Sequence, residues 1–424
     1  MHTMQSTLLV GSADWNPALL PKEEFRSRLE QMWRWCDPWS GGAIVYGSRS
    51  SHTELAYLTN FTPKLESALA LIPNPGEPRL LVGGGVNMIA AARPLTWVED
   101  VAPLRSPGKM VAEWVRNLAV PTRVLMIGGD AMPHAMHREI VDALGREVIL
   151  QDAGDRMSLP MMHKSARELA AIRMACATLD AATATLAEAR RSGAGVTAAI
   201  LAAERAAYRR GAQDVRSLFS LDHGRTLRPF TAQVEQRIDP LQVYLAVRQA
   251  GYWAEGFVVL ADQPNPALDA ARAGLRAALA QAQAGTSYGN LATALVHSTG
   301  SRNPHPLLAE IQTPPPRRLA GDVLVEVGRD QSAAALLAVA ERMIAELPPV
   351  YTAPNARAIA SVGLSIREYA LPIGRSDGGG LHDGEVLSLR AGAVDGASAA
   401  IVSAMIAVRY GGHELLWSTP GALP

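Results

Sequence analysis

Residues 243–262, VYLAVRQAGYWAEGFVVLAD, are the stretch that decides the fold. Two apolar runs flank a polar Arg248-Gln249 step and the turn-prone Gly251. The runs are rich in β-branched and bulky residues, which suit a pleated, half-buried surface. A glycine between two such runs is typical of a hairpin turn. The stretch therefore predicts a β-hairpin whose second arm carries one carboxylate, Glu255, with Asp262 just beyond that arm.

The composition bounds the class of protein. The chain has 424 residues, of which 48% are apolar and 19% charged, as expected for a globular protein of two or three domains. Lys+Arg and Asp+Glu both number 40, so no net field attracts nucleic acid or an anionic membrane. No secretory signal and no run near the ~20 apolar residues of a membrane span is evident. We expect a soluble, cytoplasmic protein without a nucleic-acid or membrane partner.

The first 160 residues predict an arm and a small domain. Residues 1–20 are mixed and proline-containing, which predicts an irregular arm. Over residues 21–160, short apolar strand patterns alternate with helical spacings, as in a small α/β domain. The predicted strands are residues 43–46, 67–72, 79–82 and 123–127, and the predicted helices are residues 23–35, 86–92 and 132–144.

Residues 161–424 predict a second, α+β domain. Residues 165–190 form an alanine-rich helical pattern, and Ser165 with Glu168 three residues later is a capping box. Thr197 is the expected N-cap of a second helix, residues 197–210. Further helices are predicted at residues 267–284, 288–297 and 333–346. Strands are predicted at residues 215–221, in the hairpin, and at residues 323–327, 361–369, 385–389, 400–408 and 414–417. Helices followed by a mostly antiparallel sheet are an α+β plan.

Five short motifs occur in a recognisable order. They are LAYLTNF at 55–61, KSAREL at 164–169, GYWAE at 251–255, GLSIRE at 363–368 and DGEVLSLRAG at 383–392. Together they resemble the creatinase/prolidase/aminopeptidase P group over roughly residues 24–420; the counterpart of the first motif is a strand. The resemblance implies a creatinase-like α/β domain at residues 21–160. It also implies a pita-bread domain at residues 161–424, with a curved, mostly antiparallel sheet, and a homodimer.

The resemblance also implies a lost metal centre. Metal-dependent members of the group bind two divalent ions through two Asp, one His and two Glu. By position, these ligands fall on Ala246, Glu255, Ala360, Glu368 and Arg390. A dinuclear centre needs carboxylates to offset about four positive charges. A guanidinium stays protonated and adds charge of the wrong sign. We therefore expect no catalytic metal and no other cofactor.

Catalytic candidates follow from creatinase, which has this fold, uses no metal and employs a histidine as acid/base. His223 is the candidate histidine by proximity, because the alignment itself places Arg228 or Pro229 at that position. Glu255 and Glu368 are the candidate carboxylates, facing one pocket. The alternatives are a loop histidine that bonds its own turn, and carboxylates held in a structural ion pair with Arg390.

Three residues are candidates for substrate binding. Arg390 and Arg228 each have the planar donor fork that holds a carboxylate through two hydrogen bonds. Tyr252 is a candidate contact beside them, with packing in the strand as its alternative role. The predicted partner is a small-molecule substrate.

Three functions fit this pattern. The first is a metal-independent enzyme acting on a C–N bond of a small amino acid-like or guanidino compound. The second is a non-catalytic pita-bread module that binds a partner. The third is a biosynthetic enzyme that keeps the fold and has changed its reaction. Retention of Glu255, Glu368 and Arg390, where a decayed site could be fully apolar, favours an enzyme.

Overall fold

The computed structural model describes most of the chain. The described residues are 14–64, 66–230, 233–297, 305, 307–308, 358–366, 368–369, 371, 379–396 and 398–423. The strand predicted at 323–327 and the helix predicted at 333–346 lie outside them.

A six-stranded mixed sheet organises the first part of the chain. Its order is β4-β3-β2-β1-β5-β6, with β1 antiparallel to β2 and parallel to β5. The strands are β1 (Gly42–Gly47), β2 (Ala68–Pro73), β3 (Arg79–Val82), β4 (Asp100–Pro103), β5 (Arg123–Ile127) and β6 (Ile149–Asp152). The helices are α1 (Lys22–Cys36), α2 (Thr53–Thr59), α3 (Asn87–Ala92), α4 (Pro107–Arg116), α5 (His134–Leu144) and α6 (Ser158–Met162). The predicted α/β alternation is confirmed here, and the domain limits stay a prediction.

Within its described residues, the second part consists of two antiparallel sheets and four helices. One sheet has the order β7-β8-β9 and the other β10-β11-β12-β13. The strands are β7 (Asp214–Phe219), β8 (Leu241–Gln249), β9 (Tyr252–Leu260), β10 (Ile359–Ser361), β11 (Val386–Asp395), β12 (Ser398–Arg409) and β13 (Gly412–Ser418). The helices are α7 (Ala166–Arg191), α8 (Val196–Arg209), α9 (Pro266–Leu279) and α10 (Tyr288–His297). Helix α7 packs on β8 and β9, and α9 packs on β11 and β12, so each sheet has one helix-covered face.

The predicted hairpin is confirmed as β8–β9. Its strands pair from Leu241 with Leu260 to Gln249 with Tyr252. The connecting residues Ala250 and Gly251 have φ of 52° and 84°. A two-residue turn with both φ values positive matches the right-handed twist of the flanking strands.

The long helix α7 begins as predicted and belongs to the core. The Ser165 side chain accepts from the backbone N–H of Glu168, and the Glu168 side chain accepts from that of Ser165. Among the described helices, α7 alone is long and apolar enough to span a bilayer, but 56% of that window is buried within the protein. Its packing on β8 and β9 explains the apolar content without a membrane.

Three local predictions were wrong. Residues 55–61 lie mostly in helix α2 rather than in a strand, because a short apolar run has no periodicity that separates the two. Gly195, not Thr197, precedes helix α8, and the Thr197 hydroxyl instead accepts a 2.8 Å bond from the Val234 N–H. The strand predicted at 361–369 is only Ile359–Ser361, because the following residues turn back on Glu368.

Candidate functional site

Strands β8, β9 and β11 bring one carboxylate, one cation and one hydroxyl together. We call Tyr244, Glu255 and Arg390 the inner-face triad. The Tyr244 hydroxyl donates to Glu255 Oε2 at 2.6 Å, and Arg390 Nη2 donates to Glu255 Oε1. Glu255 is 1% exposed and Arg390 3%. Both oxygens of the carboxylate are therefore engaged away from solvent.

Strand alternation explains why Arg390 faces inward. Leu389 and Ala391 pack into the apolar cluster with α9 and α10, so Arg390 between them lies on the opposite face of β11. That face meets the hairpin, since the Phe257 N–H donates to Ser403 Oγ of β12 at 2.8 Å. Ser403 lies directly opposite Arg390 in the ladder. The sequence pattern thus places a guanidinium between two sheets.

Electrostatics keep the Tyr244 hydroxyl protonated. Burial, together with the negative charge of Glu255, raises the pKa of Tyr244 well above its usual range. The protonated phenol acts as a hydrogen-bond donor to the Glu255 side chain. The triad therefore combines one carboxyl group with two donors, Tyr244 and Arg390.

Glu368 lies in a different cluster. Its Oε2 accepts from Lys164 Nζ, both side chains are wholly buried, and Oε1 accepts from the Leu364 N–H at 3.0 Å. Burial raises the pKa of Glu368, and the charge of Lys164 opposes that shift. A Cβ at Gly363 would lie 2.4 Å from both oxygens, so a larger residue there would have to displace this carboxylate.

Tyr252 lies near Glu368 and links distant parts of the chain. Its hydroxyl accepts from Arg28 Nη2 at 3.0 Å and donates to Glu168 Oε1 at 3.1 Å. Arg28 belongs to α1, Glu168 to α7 and Tyr252 to the hairpin. We call Arg28, Lys164, Glu168, Tyr252 and Glu368 the junction network. The hydrogen bonds of the Tyr252 hydroxyl to Arg28 and Glu168 therefore lie within this network.

His223 and Arg228 lie on the loop that follows β7. His223 is exposed with φ of 56°, and its Nδ1 lies 3.0 Å from the Asp239 carbonyl oxygen. Arg228 is exposed, and its backbone pairs with Phe219. His223 bonds to Asp239 and, through its carbonyl oxygen, to the Ala399 N–H of β12, and the Arg228 backbone bonds to Phe219; these partners are not members of the triad.

The positions implied for metal ligands do not fit a dinuclear centre. Ala246 lies opposite Glu255 in the hairpin, and Ala360 lies opposite Ser388 between β10 and β11. Methyl groups donate no electron pair, and the Glu255 carboxylate already holds the Arg390 guanidinium. Within the described residues, no three His, Cys, Asp or Glu side chains converge on a common point.

Sequence reasoning missed Tyr244 and Lys164. Tyr244 lies two residues before Ala246 on the same strand face, so alternation alone could have placed it beside Glu255. Lys164 is the first residue of the KSAREL motif, in which a local role was predicted only for Ser165 and Glu168, as the capping box. Its partner Glu368 is 204 positions away, and no local pattern signals such a pair.

The fold matches solved peptidase structures. An X-Pro aminopeptidase from Thermotoga maritima aligns with a TM-score of 0.66 at 15% identity, covering 93% of this chain and 98% of that one. A prolidase from Pyrococcus horikoshii aligns with a TM-score of 0.64 at 14% identity, covering 94% and 98%. An Escherichia coli aminopeptidase P aligns with a TM-score of 0.63 at 15% identity, covering 93% and 94%. No protein-family model and no curated protein matches the chain.

These alignments cover nearly the whole of both chains, so this chain has the pita-bread fold of the prolidases and X-Pro aminopeptidases. The expected fold class is confirmed. Activity does not follow from a fold and has to be argued from the site.

Proposed function

We propose that the protein is a metal-independent hydrolase that cleaves a C–N bond of a small amino acid-like compound at the inner-face triad. The observation that carries this proposal is the contact of Glu255 with Arg390 and Tyr244 inside a peptidase fold. A buried ion pair is on average no more stabilising than apolar residues of the same size. Stability therefore does not explain why Glu255 and Arg390 are charged residues, whereas a role in catalysis does.

The triad contains the groups that amide hydrolysis needs. Glu255 accepts a proton from water, whose oxygen bonds to the carbonyl carbon. On substrate binding, the Arg390 guanidinium turns away from Glu255. It then donates to the oxyanion that develops on the carbonyl oxygen, so that a permanent positive charge stabilises this oxyanion without a metal. The C–N bond then breaks, and the nitrogen leaves with the proton held by Glu255. Water is consumed, and no oxidant or reductant is required.

The triad favours an amide over a guanidino substrate. A guanidino group would have to bind Glu255, which already holds the Arg390 guanidinium. An external ligand competes poorly with a side chain that is tethered in place. An amide carbonyl instead uses Arg390 as a donor and leaves Glu255 as base.

The other predicted site residues have separate roles in this proposal. Glu368 and Tyr252 belong to the junction network and support the scaffold. His223 and Arg228 would contribute only if their loop reached the triad. A His223→Gln variant with full activity would remove His223 from the chemistry.

The test is activity without metal. Protein purified without chelator is analysed for bound ions, then incubated with N-acyl amino acids, dipeptides and creatine in the presence of chelator. We expect far less than one equivalent of divalent ion and hydrolysis detected by NMR. Glu255→Gln should lower the rate by about 10²-fold or more, whereas the exposed Glu99→Gln should not. Two bound ions, or activity lost with chelator, would contradict the proposal.

A non-catalytic binding module is the second candidate. The observation in its favour is that both Glu255 oxygens are already bonded in a carboxylate that is 1% exposed. Saturable binding of a panel member without turnover, unchanged in Glu255→Gln, would favour this function over hydrolysis.

A further inference from the structure

A second polar site lies at the tip of the hairpin. A cleft of about 520 Å³, including its solvent-open part, separates the turn after β8 from the segment that follows α2. Asn60 and Thr62 line one side, and Gln213, Arg248 and Gly251 line the other. The cavity itself is about 50 Å³, which is room for one small polar group rather than for a whole drug-sized ligand.

Arg248 is the unusual residue of this cleft. It is only 6% exposed, yet its hydrogen bonds go to neutral groups: Nε donates to the Gly251 carbonyl and Nη2 to Thr62 Oγ1, both at 3.0 Å. Burial lowers the pKa of Arg248 to about 10, with Asp214 opposing and Arg216 assisting the shift. A buried guanidinium held only by neutral acceptors is costly, so a further anionic partner would be favourable.

The geometry of those bonds leaves donors for a ligand. Guanidinium carries five N–H groups in a planar fork. The two bonds described engage Nε and Nη2, and within the described residues none is formed by Nη1. The free end of the fork is the part that pairs with two oxygens of one oxyanion.

Neighbouring charges are mostly of the same sign. Burial, and next the charge of Arg248, lower the pKa of the half-buried Lys64, so these two cations lie close enough to repel. Arg216 stacks over the Trp253 ring at 4.5 Å. Asp214 is the nearby acid, and it lies 3.4 Å from Arg216. The Arg248 end of the cleft is therefore cationic, which attracts and retains anions.

We propose that this cleft binds the oxyanion group of a small molecule, a carboxylate or a phosphate, through the Arg248 guanidinium. Thr62 orients the guanidinium, and Lys64 adds to the field. The exposed Asp14 also lines the cleft, so the anionic group lies at the Arg248 end. This site is separate from the triad and does not depend on catalysis there.

The test is calorimetric titration of the full chain in a buffer free of oxyanions. Sodium succinate and inorganic phosphate are the two probes, and succinamide is the uncharged control. We expect saturable binding of at least one anion and none of succinamide, with the tighter anion identifying the source. Raising the salt from about 20 to about 200 mM should weaken binding, since the attraction is screened.

Variants assign the binding to the cleft. Arg248→Gln keeps a polar side chain and should weaken binding at least about tenfold. The exposed Arg79→Gln, in an ion pair with Asp100, is the matched control and should bind normally, as should Glu255→Gln. If Arg248→Gln fails to fold, Lys64→Gln replaces it, with an expected several-fold loss. No saturable binding by either anion, or unchanged affinity in the variant that folds, would overturn the proposal.

Discussion

The inner-face triad buries one carboxylate against one cation and the junction network buries two carboxylates against two, yet they join different parts of the molecule. Tyr244, Glu255 and Arg390 lie on strands whose positions are set by backbone ladders. Lys164 and Glu368 instead lie outside strands and helices, and their side-chain contact joins segments 204 positions apart. We therefore expect the fold to survive loss of the triad, and we expect the junction to be part of what holds the fold together.

This difference separates chemistry from stability. A charge pair on the face of a preformed sheet can be replaced without loss of the fold, so its retention is an argument for a function. The Lys164–Glu368 pair connects the start of α7 to the segment after β10, so its retention is explained by stability and is no argument for a function. The following three predictions test the comparison, and each uses the free energy of unfolding as its measure.

Lys164→Met should have the largest effect. It leaves the wholly buried Glu368 carboxylate without its cation. Breaking a buried pair by removing one partner costs about 3–5 kcal/mol, measured by urea unfolding at neutral pH. Lys22→Met is the matched control, because Lys22 pairs with Glu99 at the surface, and it should change stability much less. Equal losses of unfolding free energy in the two variants would contradict a structural role for the junction network.

The two regions also differ in how far sequence alone could locate them. The hairpin was predictable because its strands are adjacent in sequence and Gly251 favours the turn. The capping box at Ser165 was predictable because its two bonds lie within four residues. Glu255 and Arg390 were expected in one site through the resemblance, and the ion pair between them was among the alternatives.

The junction was not predictable for a physical reason. Helix propensity and strand alternation are local signals, and they carry no information on which distant side chains meet. Arg28 and Tyr252 are 224 positions apart, and Lys164 was assigned no partner. The prediction of a strand at residues 55–61 was wrong for a related reason. The family counterpart of this segment is a strand, and the apolar run is too short for its periodicity to indicate a helix.

Arg390→Met should have the intermediate effect, and a second change should reverse it. Removing Arg390 leaves Glu255 buried with the Tyr244 hydroxyl as its remaining side-chain donor among the described residues, which should cost about 3 kcal/mol. Adding Glu255→Leu removes the stranded charge, and the double variant should return to within about 1 kcal/mol of the parent protein. A double variant as unstable as the single one would show that the triad, like the junction, is part of the scaffold.

Loss of one hydroxyl in each region should have the smallest effect and should still separate them. Tyr244→Phe removes one bond to a carboxylate, which costs about 1 kcal/mol. Tyr252→Phe removes two, from Arg28 and to Glu168, and should cost about 2 kcal/mol. Activity should show the opposite order, because only the Tyr244 hydroxyl contacts the proposed base. If Tyr252→Phe instead abolished hydrolysis without loss of stability, the reacting site would have to be sought in the junction network.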